Sequence, residues 1–508
     1  MAPSQSPLPC EPETATPSRN QSLKLLARFT VLGGAVRELW IVFGTKLLTI
    51  LAYAVMNSTL VLWLSSDLGY NDAHAGYLVA VWSTAMTLCT VAVGSLVDAI
   101  GLRRAFLMGV GICLVARGIM TFTNIPWVAL GCGLFPLAAG EALLTPVMVA
   151  AVRRYATTAQ RSIAFAIFYA MMNLGFAIAN FIFDFVRQGL GEHGHLTLPV
   201  LGVELTTYRT LFLISFLLTF PNLFLMYFCL REGVEATDDG VKITPLQPKY
   251  VERKLISATA LTIRDSLRQT GKIFAGLWGQ ATFYKFLVFL SLAVAVRLIF
   301  YHMHYTYPKF GLRELGAGAP IGRLWAINSI SIIILVPFVG ALTQRFSAYR
   351  MVMVGSFISA ASVFVMALPP SWFQGLAGGP LGDWLGHGWL GLKGEVNPYY
   401  VLIFCYIMIL SLGEALWSPR LYEYTAAIAP KGQEASYMSL SYLPFFAAKF
   451  FVGMFSGVLL AKYCPETGPR HSETLWLIIA LTTMITPVGL LLLKRYIRVP
   501  EAGRTEGG

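Results

Sequence analysis

Twelve long apolar runs constrain this chain more than any other feature of its sequence. A helix that crosses the hydrocarbon core of a membrane needs about 20 mostly apolar residues. Six such runs precede a polar stretch at 231–280, and six follow it. They lie near 39–65, 75–98, 104–123, 127–152, 161–186 and 209–230, and near 281–305, 321–343, 349–369, 398–419, 435–461 and 473–494. An open strand in lipid would leave backbone groups without hydrogen bonds. The sequence therefore predicts an all-α integral membrane protein with twelve transmembrane helices.

Composition supports this class and excludes others. Only 13% of the residues are charged, whereas soluble proteins average about 25%. The net charge of +12 is spread over short clusters between apolar runs. The chain is therefore expected to lie in a lipid bilayer and not to bind nucleic acid. The seven cysteines form no CxxC pair, and neither a metal site nor a cofactor is expected. The chain has no G-x-x-x-x-G-K-S/T loop and no nucleophile–base constellation, which argues against an ATP-driven pump and an enzyme.

The distribution of lysine and arginine predicts the orientation. These residues concentrate in the connections after even-numbered runs and in the middle stretch, as is typical of cytoplasmic loops. Both termini are therefore expected in the cytoplasm, and the plasma membrane is favoured over an organelle membrane. The first 35 residues contain no apolar core, so no cleavable signal peptide is expected. The predicted segments are a cytoplasmic tail (1–35), an N-terminal six-helix bundle (36–231), a cytoplasmic linker with an amphipathic helix (232–280), a C-terminal six-helix bundle (281–497) and a second tail (498–508).

An internal repeat relates the two halves. GEALLTP at 140–146 coincides with GEALWSP at 413–419 when the chain is shifted by 273. A shift of 246 superimposes GSLVDAIGLRR (94–104) on GALTQRFSAYR (340–350). Both halves therefore look like copies of one six-helix unit with the same orientation. Repeats of this kind build the midplane site of secondary transporters, so we expect two pseudo-symmetric bundles with a site between them.

The segment GSLVDAIGLRR resembles the loop between helices two and three of the major facilitator superfamily, G-x-L-x-D-x-x-G-R/K-R/K, with one additional residue before the basic pair. The resemblance implies the major facilitator fold and a gating role for this loop. Asp98 is expected to meet a helix N-terminus or a basic residue and so to hold one conformation. The expected gating residues are Gly94, Asp98, Gly101, Arg103, Arg104, Arg153 and Arg154.

Two further segments resemble proton-dependent oligopeptide transporters. FYAMMNLG (168–175) is similar to that family's fifth-helix signature F-Y-x-x-I-N-x-G, and GEALWSP is similar to its tenth-helix G-E-L-x-x-S-P. The resemblance implies that Glu414 lies by the substrate pocket. The first helix departs from the family's E-x-x-E-R pattern, since Lys46, Thr49 and Ile50 occupy those positions while Tyr53 is kept. Coupling to protons therefore stays open.

Ionisable residues inside the predicted spans are candidates for the site, because each needs an interior position or a partner. Cations together with two carboxylates near the centre predict a cavity for an anionic or zwitterionic solute. For each glutamate, a permanent salt bridge remains open as the alternative to a role in the site: Glu141 would pair with an arginine such as Arg117, and Glu414 would pair with Lys449. The expected substrate or coupling-ion residues are Glu414, Glu141, Lys449, Arg117, Arg297, Lys46, Tyr53, Tyr169, Asn173 and Tyr442.

These observations predict a secondary active transporter, a symporter if protons are coupled. It would move a small polar solute, peptide-like or amino-acid-like, by alternating access, and work as a monomer. The alternative is a receptor or scaffold that keeps the transporter fold without transport.

Overall fold

A computed structural model of the chain describes residues 31–199, 202–238, 240–243, 281–343, 346–428 and 443–497, with a few positions between 261 and 279. The side chains at 91–100 and at some positions near 425–447 are not described. The predicted amphipathic helix of the linker falls almost wholly outside the described residues.

Twelve long helices occur within the described ranges. Those of the N-terminal half are α1 (Arg37–Ser66), α2 (Asp72–Ile100), α3 (Leu102–Phe122), α4 (Pro126–Tyr155), α5 (Thr158–Leu190) and α6 (Thr207–Phe224, continued by a π-helix at Leu225–Cys229). Those of the C-terminal half are α7 (Ala281–Tyr305), α8 (Ile321–Leu342), α9 (Ala348–Val365), α10 (Pro398–Ile428), α11 (Leu443–Tyr463) and α12 (Ser472–Leu492). Ten of these contain a segment long and apolar enough to cross a membrane. The predicted all-α membrane fold is confirmed.

Two small hairpins were not predicted. One pairs β1 (His195–Leu198) with β2 (Val203–Thr206), and the other pairs β3 (Val234–Thr237) with β4 (Gly240–Ile243). Each strand has four residues, which is too short for its alternation to stand out between long apolar runs. A short helix, Tyr307–Leu315, follows α7.

The two halves meet along two pairs of helices. α2 packs against α11, and α5 packs against α8. At the first crossing, a Cβ on Gly76 would lie 2.5 Å from the carbonyl oxygen of Gly453 and 3.1 Å from the backbone nitrogen of Gly457. Small residues let helix backbones approach closely in membranes. The glycines at this crossing therefore set how tightly the halves close.

The sequence repeat reappears as repeated packing within each half. Between α3 and α4, a Cβ on Gly140 would lie 2.7 Å from Cys113 Sγ. Between α9 and α10, a Cβ on Gly413 would lie 2.6 Å from the Ser359 nitrogen. Ser359 is the residue that a shift of 246 places on Cys113. The glycine of each GEAL segment thus serves the same close helix crossing in both halves.

We call the end that carries the linker between the halves the linker end, and the opposite end the distal end. Among the described residues, the contacts between the halves are concentrated at the distal end. Asp72, at the start of α2, accepts a bond from Lys309 Nζ at 2.6 Å and forms an ion pair with Arg313 at 2.8 Å. Gln188 on α5 donates to the carbonyl oxygen of Gly318 at 3.2 Å.

Asp184 on α5 adds a contact with the first turn of α8. Its carboxylate accepts bonds from the backbone nitrogens of Gly322 at 3.0 Å and Arg323 at 2.5 Å. A carboxylate at a helix N-terminus satisfies backbone donors that have no partner within the helix. Arg187 forms ion pairs with Asp184 and with Glu192. These contacts hold the distal end closed.

A loop at the distal end covers part of this closure. The Trp389 ring nitrogen donates to the Arg323 carbonyl at 3.1 Å, and its ring packs on Phe181 of the other half. In the same loop, His387 Nε2 bonds with the Gly394 carbonyl at 2.9 Å and Nδ1 bonds with Asp383 at 2.7 Å. The carbonyl, and after it the carboxylate, raise the pKa of the His387 imidazole above its usual value.

Candidate functional site

Six ionisable side chains of the predicted spans form what we call the central charged cluster. Measured along its helix, Glu414 lies about 24 Å from the start of α10, and Glu141 lies about 22 Å from the start of α4. Charged groups at such depth require an interior position. The cluster consists of Lys46, Arg117, Glu141, Arg297, Glu414 and Lys449, and all of them are buried or half-buried.

Glu141 is held in an ion pair with Arg117. An Arg117 guanidinium nitrogen, Nη2, donates to the Glu141 carboxylate. The other terminal nitrogen, Nη1, donates to Thr219 Oγ1 at 2.5 Å, and Cys113 Sγ lies 3.8 Å from the carboxylate. The pair therefore connects α3, α4 and α6. Of the alternatives open for Glu141, the structure has the pairing with Arg117.

Glu414 has a different environment although it is the repeat copy of Glu141. Asn328 Nδ2, on α8, donates to the Glu414 carboxylate at 3.1 Å and to Ser411 Oγ at 3.0 Å. No salt bridge to Glu414 occurs among the described residues, so the alternative that pairs it with Lys449 is not the arrangement found here. The shift that relates α3 to α9 places Val363 on Arg117. The C-terminal copy thus has the glutamate without the arginine.

Arg297 of α7 approaches Glu414 from another side. Its guanidinium lies over the Trp417 ring, 4.8 Å from the centroid, and close enough to Glu414 for an electrostatic interaction. A guanidinium over an indole ring is attracted by the ring's negative face. Arg297, Glu414 and Asn328 therefore join α7, α10 and α8 in one polar group.

The two lysines of the cluster lie on aromatic rings. The Lys46 ammonium is 4.5 Å from the centroid of Phe168, and the Lys449 ammonium is 5.7 Å from that of Tyr301. Neither lysine has a carboxylate within salt-bridge distance among the side chains that the structure describes. Lys46 does lie within electrostatic range of Glu141. Lys46 belongs to the N-terminal half and Lys449 to the C-terminal half.

The remaining predicted site residues differ in position. Tyr53 lies within electrostatic range of Glu141 and Tyr301, so it adjoins both halves of the cluster. Tyr169 packs on a small apolar group of α8 and α10. Asn173 donates to the Tyr169 carbonyl at 3.0 Å, a bond within its own helix. Tyr442 lies outside the described residues. A role of these residues in binding stays a prediction.

Three of the four predicted gating arginines contact their own half. Arg103 donates to the carbonyl oxygen of Tyr227 at 2.5 Å, and Arg154 donates to that of Val234 at 3.1 Å. Arg104 forms an ion pair with Glu232 at 3.4 Å, and Arg153 is exposed. These three contacts fix the π-helical end of α6 and the segment after it to the rest of the N-terminal half.

The loop motif itself is only partly described. Gly101, between α2 and α3, has a backbone φ of 88°, which residues other than glycine rarely adopt. This explains the glycine at that position of the motif. Gly94 and Asp98 lie in the stretch of α2 whose side chains are outside the described set, so their gating role stays a prediction.

Comparison with known families identifies the chain. A model of the Major Facilitator Superfamily matches residues 42–382, about two thirds of the sequence and parts of both halves. The chain belongs to the Major Facilitator Superfamily. No curated protein matches it by sequence.

Solved structures of other transporters show the same fold. One is a POT family transporter in complex with 5-aminolevulinic acid, with a TM-score of 0.65 and 16% identity over 91% of this chain and 97% of that one. Another is a peptide transporter POT in complex with sulfate, with a TM-score of 0.65 and 17% identity over 91% and 95%. At such identity the likeness establishes the architecture alone.

Sequence reasoning missed the neighbours of Glu414 in this superfamily member. Asn328 and Ser411 are polar residues within apolar runs, which was a usable signal, because a polar side chain inside a span needs a partner. Trp417 carried no such signal, since tryptophan is common in apolar helices. Among the described residues, no group of three or more His, Cys, Asp or Glu could hold a metal ion.

Proposed function

We propose that the protein is a secondary active transporter that moves a small polar solute across the membrane by alternating access. The observation that carries the proposal is the central charged cluster at mid-depth, built from both halves of a molecule whose distal end is closed. Such a site at a repeat interface is where secondary transporters bind their solute. Superfamily membership indicates a transporter rather than an enzyme.

Within this proposal the two repeated glutamates have different tasks. Glu141 is neutralised by Arg117 and connects helices of one half, which is a structural role. Among the described residues, Glu414 accepts a hydrogen bond from a neutral amide donor, Asn328, and it adjoins Arg297. Its carboxylate is available to bind a proton during the cycle. Arg297 and Tyr53 would position the solute beside it.

The solute class, coupling and orientation are finer parts of the proposal. The fold is that of peptide transporters, which supports a peptide-like or amino-acid-like solute. Proton coupling would act through Glu414, since the first helix carries Lys46 where the oligopeptide family has a glutamate. We propose that the protein lies in the plasma membrane, that both of its termini are in the cytoplasm, and that it acts as a monomer. One similar structure, at a TM-score of 0.60 and 17% identity over 91% of this chain and all of that one, is described as tetrameric.

Counterflow in liposomes tests the proposal. Purified protein would be reconstituted and loaded in turn with dipeptides, amino acids, organic anions and sugars. Exchange of any labelled solute supports a transporter, whereas binding without flux supports the receptor or scaffold alternative. Glu414→Gln is expected to raise the apparent KM at least tenfold or to abolish uptake. If Glu414 carries a proton, this variant loses pH-driven accumulation and keeps exchange. Glu395→Gln, an exposed glutamate of the distal loop, is the matched control and should leave uptake unchanged.

A further inference from the structure

The charges of the central cluster do not balance. It contains four cations and two carboxylates. Arg117 is paired with Glu141, and Arg297 lies within electrostatic range of Glu414, so these charges offset one another. Lys46 and Lys449 remain, without a salt-bridge partner among the described side chains.

The two remaining lysines come from different halves. Lys46 is on α1 and Lys449 is on α11. Each ammonium lies over an aromatic ring, which fixes its position but does not neutralise its charge. A buried ammonium without a counter-charge is costly. A negative group of a solute that binds beside each ammonium would remove this cost.

The same geometry disfavours a cation in the site. The ammonium of a zwitterionic solute would have to bind at Glu414, whose carboxylate already accepts a bond from Asn328 and has Arg297 beside it. Arg297 would repel the incoming ammonium. By contrast, a second negative group would meet an ammonium that has no salt-bridge partner among the described side chains.

We propose that the transported solute is an organic dianion, such as a dicarboxylate, with one negative group bound by Lys46 and the other by Lys449. This inference rests on the transport function proposed above, and it replaces the peptide-like or amino-acid-like solute of that proposal by a dianion. Tyr53, on the same helix as Lys46, lies within electrostatic range of Tyr301, and the Tyr301 ring contacts the Lys449 ammonium. The rings of these two tyrosines offer apolar surface to the carbon chain of such a solute.

Binding of this kind also connects solute and conformation. A dianion held by one lysine of each half contacts both bundles at once. It stabilises the state in which the bundles are close to each other, because a ligand shifts an equilibrium by its differential affinity for the two states. A monoanion contacts only one lysine and lacks this effect.

The test measures binding and exchange with defined probes. Succinate, glutarate and adipate serve as dicarboxylates, butyrate as the monocarboxylate and dialanine as the zwitterion. Affinity is read from the thermal stabilisation of the purified protein, and exchange is read from counterflow in liposomes. A dicarboxylate is expected to bind at least tenfold more tightly than butyrate or dialanine, and to exchange.

Variants separate a binding role from a structural one. In Lys46→Gln and in Lys449→Gln, the ratio of the butyrate Kd to the dicarboxylate Kd is expected to fall to near one. Lys449→Arg should keep most of the ratio. Lys462→Gln is the matched control, because Lys462 also lies over a tyrosine ring of α11 but is exposed near the distal end.

The possible outcomes distinguish this inference from the proposed function. Exchange of dialanine or another solute, without binding or exchange of any dicarboxylate, overturns the dianion and leaves the transporter standing. Dicarboxylate binding without exchange of any solute contradicts transport and supports the dianion site. A ratio that stays unchanged in both lysine-to-glutamine variants removes Lys46 and Lys449 from the site.

Discussion

The buried pair of Arg117 and Glu141 allows a quantitative prediction of stability. Arg117→Met would leave the Glu141 carboxylate with only a thiol of Cys113 at 3.8 Å and the more distant charge of Lys46. Glu141→Gln would be milder, because the amide oxygen can still accept from Arg117, which also keeps its bond to Thr219. The two single changes should therefore differ in size.

The magnitudes follow from the burial of the pair. The Arg117 side chain is 2% exposed and that of Glu141 is 7% exposed, so neither charge can be rehydrated in place. Removing one partner of a buried ion pair costs about 3–5 kcal/mol, which we expect for Arg117→Met. Glu141→Gln should cost about 1–3 kcal/mol. In the double variant both charges of the pair are absent, so its loss should be smaller than the sum by more than about 1.5 kcal/mol.

Thermal denaturation of the purified protein in detergent is the assay. A unit of 150–250 residues loses about 2–4 °C in Tm per kcal/mol, so Arg117→Met should lower the Tm by roughly 6–20 °C. Glu414→Gln is the matched control at the repeat position, where the carboxylate has an amide partner instead of an arginine. It should lower the Tm by no more than about 4 °C. Equal losses for Arg117→Met and Glu414→Gln, or losses that are additive in the double variant, would refute the assignment of Glu141 as a structural residue.

Three further predictions concern the distal end. Asp72→Asn weakens a half-buried contact with Lys309, and the loss of about 1–3 kcal/mol should shift the population toward the state with an open distal end by about five- to 150-fold. Distances between spin labels on the two halves measure this shift, and an unchanged distance distribution would contradict the prediction. Gly76→Val brings a side chain against the Gly453 backbone, so it should abolish uptake while the protein remains folded and able to bind solute; normal uptake would show that this crossing does not limit closure. The pKa of His387 is raised, so protonated His387 contributes fully to the order of the distal loop below the unfolded-state pKa, about 6.5, and this contribution is lost as the pH rises through the folded-state value. Amide hydrogen exchange in the loop should therefore accelerate with pH beyond its intrinsic dependence. His387→Gln should remove this additional acceleration.

The sequence predicted the features that depend on periodicity and local pattern. Helix number follows from apolar runs, and Gly140 and Gly413 were recognisable as a repeat before their close crossings were known. Arg117 could be proposed as a partner of Glu141 because both are charged residues inside spans, each in need of a counter-charge.

Features that depend on helix rotation and on distant pairing were not predictable. Asn328 and Glu414 are 86 residues apart, and the hydrophobic pattern of a span buried on most sides does not indicate which residues of two helices face each other. The partners of the arginines that follow α2 and lie at the end of α4 were likewise not predictable. Their charge predicted a role at the membrane surface, whereas their partners, among them Tyr227 and Val234, are backbone carbonyls that no sequence pattern marks.

The closed distal end has a consequence for the opposite end of the molecule. Its contacts include two ion pairs of Asp72 and two backbone bonds of Asp184. Hydrogen bonds to charged groups contribute about 1.5–3 kcal/mol each, so the closure amounts to on the order of 10 kcal/mol. A protein that turns over must keep its two facing states within a few kcal/mol of each other. When the distal end opens, contacts of similar total strength must form at the linker end, where the chain carries Asp98 and its neighbouring arginines. The rate of the cycle is then set by how closely these two sets of contacts match, and a change that strengthens either set alone should slow transport.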